Sequence, residues 1–398
     1  MMQTAPFDTT ASIAPAQGRH IAVVTETYPP EINGVANTVH HFVSGLLERG
    51  HRISLVRPGH AGANDLPATD PVDVSLTPGL PLPGYPGLKF GLPAGRMLSR
   101  RWKTDRPDAV YIATEGPLGW SALRIASRYR IPVVSGFHTN FHSYSRHYYL
   151  GLMHEPVLNY LKHFHNRTTV TIVPTYELKS QLEDMGFGHI EVVARGVDTQ
   201  LFRPERRSDT LRRAWELKPT DIAVLYVGRI AAEKNLPLAV RGFRSLESKG
   251  LSLRFIIVGD GPMRRPLSES NPDFIFTGMK TGIELAEHYA SGDILLFPSE
   301  TETFGNVILE AMASGLAVTA YDYAAAASHI QDGVTGMLAR LGDEDDFIAA
   351  ARRPLDAGDR LTELRANAYR HAVKHDWPST IDRLERLLIS PNGKGRDS

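Results

Sequence analysis

The sequence predicts an α/β protein made of two doubly wound domains, each with a parallel sheet, that face a central cleft. Short apolar runs of strand length alternate with amphipathic segments of helical length from His20 onward. Such alternation is typical of parallel sheets that carry helices on both faces. The alternation is interrupted at the polar stretch 199–206 and then restarts. Two successive domains account for this pattern.

The elements of the first half are short apolar strands separated by helical segments. One predicted helix ends at Gly50, where a glycine can adopt the left-handed backbone that stops a helix. The predicted strands are 20–26, 51–59, 108–115, 131–139, 168–175 and 190–198, and the helices are 36–50 and 118–129.

The second half repeats the same style of element. A helix is expected to begin near Asn306, because polar and glycine residues precede it, and to end at Gly315. The predicted strands of this half are 221–230, 251–261, 273–278, 293–299 and 315–322.

These patterns divide the chain into six segments. The polar ends have no helical or strand pattern and are expected to be loose tails, and 199–206 is a hinge candidate. The predicted segments are a tail at 1–17, a first domain at 18–198, the hinge at 199–206, a second domain at 207–374, a terminal helix at 375–390 and a tail at 391–398.

Composition excludes several classes of function. Lysine plus arginine and aspartate plus glutamate both number 44, so no overall attraction to a polyanion such as nucleic acid is implied. The chain has no cysteine, which excludes disulfides, thiolate metal sites and a thiol nucleophile. No apolar run approaches the roughly 18 residues that span a bilayer, and no secretory signal is present. A cytoplasmic protein is therefore expected.

Most of the polar groups that suggest chemistry come directly after predicted strands. Ligands of doubly wound sheets bind at this carboxyl end. Arg229 leaves one strand and Lys234 follows five residues later, so a guanidinium and an ammonium could hold a diphosphate. Glu302 and Glu310 flank the start of the helix at Asn306 and could accept hydrogen bonds from sugar or ribose hydroxyls. The alternative for each set is ordinary solvated surface charge.

Four further motifs have simpler interpretations. In PPEINGV, Asn33-Gly34 allows positive φ and close backbone approach to a phosphate or sugar, although such pairs are common in turns. VGDGP (258–262) has Arg264 where a dinucleotide-binding fingerprint needs glycine, so it is expected to form a tight turn. His138, in a segment with two further histidines, suits hydrogen bonding better than metal binding. The acidic run 343–345 suits helix capping better than metal binding.

Taken together, these motifs resemble glycosyltransferase family four, retaining nucleotide-sugar enzymes with the GT-B fold of two Rossmann-like domains. The resemblance covers nearly all of residues 19–390. It rests on the Glu-x7-Glu pattern within ETFGNVILEAMASG, on GR…EKN at 228–235, on ETYPPEINGV, on FHTNFHSYSRHYYLG and on RGVD. The subgroup it resembles includes bacterial GDP-mannose-dependent mannosyltransferases and sulfoquinovosyl or glucosyl diacylglycerol synthases.

The resemblance implies roles for particular residues. Arg229 and Lys234 would bind and stabilise the leaving diphosphate, Glu310 would bind ribose, and Glu302 and His138 would contact the donor sugar. Gly34, Gly305 and Asn306 would offer backbone groups to the sugar or phosphate. No metal or other cofactor is expected, and retention would follow a front-face mechanism. The terminal helix would return to the first domain.

Several questions stay open at this level. The expected partners are a nucleotide-diphosphate sugar and a lipid or glycan acceptor, with mannose favoured by subgroup similarity and no nucleic acid. The alternatives are a UDP-sugar-dependent diacylglycerol glycosyltransferase, a GT-B epimerase or phosphorylase, and a non-catalytic sugar-binding scaffold. The helical segment 92–105 is basic and partly apolar. It either packs with a solvated cationic face or meets an anionic membrane at the inner face of the cytoplasmic membrane.

Overall fold

A computed structural model describes most of the chain. Two parallel sheets carry flanking helices, as the alternating pattern predicts. The described residues are 18–31, 33–59, 72–81, 89–138, 154–248, 250–300, 306–356 and 358–390.

The first sheet has seven strands in the order β3-β2-β1-β6-β7-β8-β9. Strand β1 pairs in parallel with β2 and β6, which places Val24 opposite Val56 and Ile112. Every residue of β1 is buried, as expected for an inner strand of a sheet covered on both faces. The strands are β1 (His20–Val24), β2 (Arg52–Pro58), β3 (Asp73–Thr77), β6 (Ala109–Ile112), β7 (Val133–Gly136), β8 (Val170–Val173) and β9 (Ile190–Val192), and β4 (Gly79–Pro81) and β5 (Lys89–Gly91) form a small antiparallel pair.

Helices of this half alternate with its strands. The helix from Gly34 begins two residues earlier than predicted, because Asn33 caps it, and Gly50 follows its end with φ 81°. The helices are α1 (Gly34–Glu48), α2 (Gly95–Thr104), α3 (Pro117–Tyr129), α4 (His154–His165) and α5 (Tyr176–Asp184).

The second sheet has six strands in the order β12-β11-β10-β13-β14-β15. Its central strand β10 pairs in parallel with β11 and β13. The short edge strand β15 was not predicted, because three residues show too little periodicity. The strands are β10 (Ile222–Val227), β11 (Leu253–Val258), β12 (Ile275–Gly278), β13 (Ile294–Phe297), β14 (Ala317–Tyr321) and β15 (Met337–Ala339).

Helices cover both faces of the second sheet as well. The predicted start at Asn306 and stop at Gly315 are confirmed, since α10 spans Asn306–Ala313 and Gly315 has φ 78°. The helices are α6 (Asp209–Ala214), α7 (Leu236–Glu247), α8 (Arg264–Ser270), α9 (Gly282–Ser291), α10 (Asn306–Ala313), α11 (Ala324–His329), α12 (Glu344–Arg352), α13 (Arg360–Ala372) and α14 (Trp377–Ile389).

The chain separates into two compact units, residues 1–134 with 388–398, and residues 135–387. Within the second unit, the segment before α14 and the first turn of α14 are hydrogen-bonded to earlier residues. The backbone N–H of Val197 donates to the carbonyl of His375 at 2.9 Å, and the Thr380 hydroxyl donates to the carbonyl of Ala194 at 3.1 Å. The hinge at 199–206 and the assignment of the terminal helix to the first domain stay predictions. Among the described helices, none is long and apolar enough to cross a membrane.

Candidate functional site

Backbone hydrogen bonds connect the loop after β10 to the end of β11 and to the loop that follows it. Gly228 donates to the carbonyl of Val258 at 3.0 Å, and Ile230 donates to the carbonyl of Asp260 at 2.9 Å. A Cβ on Gly259 would lie 1.9 Å from the Gly228 carbonyl oxygen, and the φ of Gly259 is 144°. Only glycine fits there. Residues 259–261 form an irregular loop rather than the tight turn expected for VGDGP, and turn residues begin at Pro262. The hydrogen bonds of this loop fix the backbone from which Arg229 leaves.

Arg229 presents its guanidinium largely to solvent at the carboxyl end of the second sheet. Its side chain is 66% exposed, and the Glu233 carboxylate lies 3.4 Å away. The Tyr226 hydroxyl donates to the Arg229 carbonyl at 3.0 Å, which anchors its backbone but leaves the guanidinium donors for other acceptors.

Lys234 lies in a 3-10 turn, Ala232–Lys234, that leads into α7. Its ammonium is 3.4 Å from the hydroxyl of Ser299, which follows β13. Asn235 ends the turn with φ 50°, a left-handed conformation that asparagine tolerates better than most residues. The contact brings Lys234 to the end of a neighbouring strand, as the prediction of a strand-end cation requires.

Glu310 lies in the second turn of α10 and accepts a hydrogen bond from the Tyr289 hydroxyl at 3.1 Å. The residue as a whole is half-buried, but its carboxyl group is deep enough that burial raises the pKa to about 7. The hydrogen bond from Tyr289 acts in the opposite direction by stabilising the carboxylate. Hydroxyl groups of a bound ligand could donate hydrogen bonds to this carboxylate and so offset the cost of burying its charge.

Two predicted residues near Glu310 lie outside the described residues. These are Glu302 and Gly305, and their roles stay predictions. Asn306, the third residue of this set, is the first residue of α10, so the amides of the first turn lie where the resemblance expects backbone donors.

In the first unit, Asn33 and Gly34 form the start of α1 rather than a positive-φ turn. Asn33 has φ −150°, and its side-chain oxygen accepts hydrogen bonds from the N–H groups of Val35 and Ala36. Its amide nitrogen donates to the Thr27 hydroxyl at 2.6 Å. The pair does not use the positive φ that its residue types allow, because an asparagine that caps a helix needs an extended backbone. Gly34 is exposed at the helix start, the position expected of it.

His138 follows β7 by two residues, as predicted, and is half-buried. The two other histidines of its segment, His142 and His147, lie outside the described residues. Its contact with a donor sugar therefore stays a prediction. In the acidic run, Asp343 accepts a hydrogen bond from the N–H of Asp346 at 3.0 Å and caps α12, which confirms the interpretation as a helix cap.

Sequence reasoning missed a buried carboxyl group in the first unit. Burial raises the pKa of Glu26 to about 7, while backbone N–H groups of Leu118 and Gly91 stabilise its charged form. It also missed Tyr289 and Ser299, the partners of Glu310 and Lys234. Ser299 carried a usable signal, because it is a polar residue directly after a buried strand. Tyr289 carried none, because its contact depends on how α9 packs against α10.

The basic segment after residue 92 forms α2, whose apolar residues Leu98 and Trp102 are buried in the protein. Its residues Arg96, Arg100 and Lys103 are exposed beside arginines of α3. Together they line an open groove of about 990 Å³ in the first unit, and the cationic residues of this groove are Arg96, Arg100, Lys103, Arg124 and Arg128. Leu98 and Trp102 are therefore not available for insertion into a membrane, and contact of the cationic face with a membrane surface stays a prediction.

Comparison with solved structures identifies the fold. A crystal structure of Anabaena Alr3699/HepE in complex with UDP matches with a TM-score of 0.75 at 17% identity, over 93% of this chain and all of that chain. At this identity the match establishes the fold alone. The chain has the fold of the GT-B glycosyltransferases.

The sequence relatives define the family. Residues 32–201 match the family described as Glycosyltransferase Family 4, and residues 221–357 match Glycosyl transferases group 1. A GDP-mannose-dependent alpha-mannosyltransferase of Mycobacterium tuberculosis is 32% identical over 92% of this chain and 95% of that protein. An alpha-monoglucosyldiacylglycerol synthase of Acholeplasma laidlawii is 27% identical over 94% of this chain and 98% of that protein. The chain belongs to glycosyltransferase family 4 and is a hexosyltransferase.

Proposed function

We propose that the protein transfers a hexose, with mannose from GDP-mannose favoured, to a lipid or glycan acceptor in the synthesis of a membrane glycolipid or an envelope glycan. The observation that carries the proposal is the placement of Arg229 and Lys234 at the carboxyl end of one parallel sheet. The choice of GDP-mannose is supported by the 32% identical relative, whose name specifies that donor.

The two cations suit the charge that develops as the donor breaks apart. When the bond from the sugar to the diphosphate breaks, negative charge grows on the leaving phosphate oxygens. Arg229 can donate two parallel hydrogen bonds to such oxygens, and Lys234 supplies a point charge. Because this charge is largest in the transition state, its stabilisation accelerates the chemical step.

The remaining residues would orient the donor rather than break bonds. Glu310 would accept hydrogen bonds from the ribose hydroxyls, and Asn306 would present the amide end of α10 to the donor. Glu302, Gly305, His138 and Gly34 keep the donor-binding roles that the resemblance implies. Transfer with retention would let the departing phosphate take the acceptor proton, so that Glu302 need not act as a nucleophile.

A donor and product assay tests this proposal. The protein is incubated with GDP-mannose, UDP-glucose and UDP-galactose, with and without extracted lipid, while free nucleoside diphosphate and anomeric configuration are measured. The expected result is acceptor-dependent GDP release with an α-linked mannoside product, unchanged in excess EDTA because protein cations replace a metal. Release of UDP with a glucosyl diacylglycerol product would favour the second candidate, which the 27% identical relative supports. Absence of transfer from every donor would contradict both.

We propose further that the cationic groove of α2 and α3 holds the protein at the cytoplasmic face of an anionic membrane. Because Leu98 and Trp102 are buried, the attraction would be electrostatic and would not involve insertion of this helix. Co-sedimentation with phosphatidylglycerol vesicles should fall in Arg96→Glu/Arg100→Glu and with added salt, but not in Arg265→Glu, which alters an exposed arginine of the second unit. Equal binding to neutral phosphatidylcholine vesicles would contradict this.

A further inference from the structure

Three histidines of the second unit lie close together in space. His329 ends α11, His371 lies in the last turn of α13, and His375 follows that helix by three residues. The ring centroids of His371 and His375 are 4.4 Å apart, and that of His329 lies 5.7 Å and 5.0 Å from them. One ring nitrogen of each histidine lies within 4.8 Å of the corresponding ring nitrogens of the other two.

The hydrogen bonding of the cluster leaves ring nitrogens unused. Nδ1 of His329 and Nε2 of His371 are buried and have no hydrogen-bond partner. Nδ1 of His375 lies 3.0 Å from the carbonyl oxygen of His371. Since a carbonyl can only accept, this Nδ1 carries the proton, and the lone pair of His375 is on Nε2. Buried polar atoms without partners are costly, and a bound ion would supply what these two nitrogens lack.

We propose that His329, His371 and His375 bind one divalent transition-metal ion of the zinc type, with water in the fourth position. An all-imidazole set favours zinc, cobalt, nickel or copper, whereas magnesium and calcium prefer oxygen ligands. None of the three residues belongs to the set assigned to the donor. The ion would connect α11, α13 and the segment that leads to α14.

The position of His375 gives this connection a structural consequence. Its carbonyl accepts the N–H of Val197 at 2.9 Å, and Asp376 forms an isolated parallel bridge with Val197. A metal ligated by His375 would hold the segment between α13 and α14 against Val197, in the segment that follows β9. The proposed ion would therefore stabilise the position of this segment and take no part in sugar transfer.

The test uses tag-free, chelator-stripped protein and titrates it with Zn²⁺ and, separately, Co²⁺. The expected results are binding of one equivalent, a Co²⁺ visible spectrum of tetrahedral intensity, and a rise in Tm of about 3 °C or more at saturating Zn²⁺. The rise in Tm does not depend on transferase activity. Failure of the wild-type protein to bind one equivalent, or an octahedral Co²⁺ spectrum, would overturn the proposal.

Variants then locate the bound ion. His375→Ala, at a half-buried position, and His371→Gln should each weaken Zn²⁺ binding about 10-fold or more and abolish the rise in Tm. The control His288→Asn changes a buried histidine outside the cluster and should bind Zn²⁺ normally. A second control, His142→Ala/His147→Ala, removes histidines that lie close together in the sequence. Binding that survives the first pair of variants, or that is lost in the second control, would place the ion elsewhere and refute the assignment.

Discussion

Charged side chains at the two ends of the second sheet differ in burial and in how closely they are paired. At the amino end, Asp293 directly precedes β13, and its side chain is 5% exposed between Arg207, Arg212 and Arg365 at 2.9, 3.0 and 2.9 Å. At the carboxyl end, Arg229 is 66% exposed, with its carboxylate partner 3.4 Å away. One end satisfies its charges within the protein, whereas the other keeps cation donors available.

The difference shows which charges serve the fold and which can serve a ligand. Asp293 also accepts the backbone N–H of Ala223 at 2.8 Å, so its carboxylate links β10, β13 and the arginines that surround it. Such a buried network is costly to break, and its arginines donate to the shared carboxylate and to backbone carbonyls of the protein. In parallel α/β sheets, ligands bind beyond the carboxyl ends of the strands, which is the end where Arg229 and Lys234 lie.

The largest expected effect on stability is at the buried end. Asp293→Ala should lower the free energy of unfolding by about 3–5 kcal/mol, because it leaves three arginines without their shared carboxylate. Urea denaturation measures the change. Glu269→Ala is the matched control, since it breaks an exposed pair with Arg265 and should cost at most about 1 kcal/mol. Similar losses in the two variants would remove the contrast between a buried network and a surface pair.

A smaller effect should come from Glu310. Since burial raises its pKa from an ordinary 4.5 to about 7, the folded protein binds an extra proton between these values and loses stability as pH rises through 7. Glu310→Gln removes this loss, so at pH 8 it should be more stable than the wild type by about 1–2 kcal/mol, with little difference at pH 5.

Thermal unfolding at both pH values measures this difference, and nucleotide binding provides a second readout. The variant should bind GDP more weakly at pH 8, because an amide accepts ribose hydroxyls less strongly than a carboxylate. Tyr289→Phe serves as the comparison, as it removes the neighbouring hydroxyl and keeps the carboxyl group. An equal stability difference at pH 5 and pH 8 would show that Glu310 does not titrate as described.

The smallest effect is expected at the exposed ion pair. Glu233→Gln should change the free energy of unfolding by no more than about 0.5 kcal/mol, since the pair is long and solvated. Chemical denaturation is again the measurement. A loss above about 1.5 kcal/mol would mean that the carboxyl end also uses its charges for the fold.

The local features of this molecule could be predicted from the sequence, and the pairings between distant residues could not. The start of α10 at Asn306, its end at Gly315 and the cap at Asp343 depend on backbone conformations that nearby residues dictate. The partners of Asp293 lie 72 to 86 positions away, and which arginines reach it depends on how helices pack on the sheet. The sequence offers no local sign of such a pairing.

The predicted site shows the same division. Arg229 and Lys234 were predicted because they follow strands, and strand ends are readable from apolar runs. The contact from Lys234 to Ser299 crosses 65 positions and was not readable. Two members of the histidine cluster leave a signal in the sequence, because His371 and His375 have the four-residue spacing that aligns side chains on a helix. Its third member, His329, comes from a different helix.

Turnover of the Arg229→Ala and Lys234→Ala variants tests the central claim most directly. The account predicts that each lowers the rate of transfer from the preferred nucleotide sugar by roughly 10²-fold, a loss of about 3 kcal/mol in transition-state stabilisation, with an unchanged Tm. Arg265→Ala, another exposed arginine paired with a glutamate four residues later, should keep the wild-type rate. Near-normal turnover in both site variants would contradict the assignment of these two cations to the donor diphosphate.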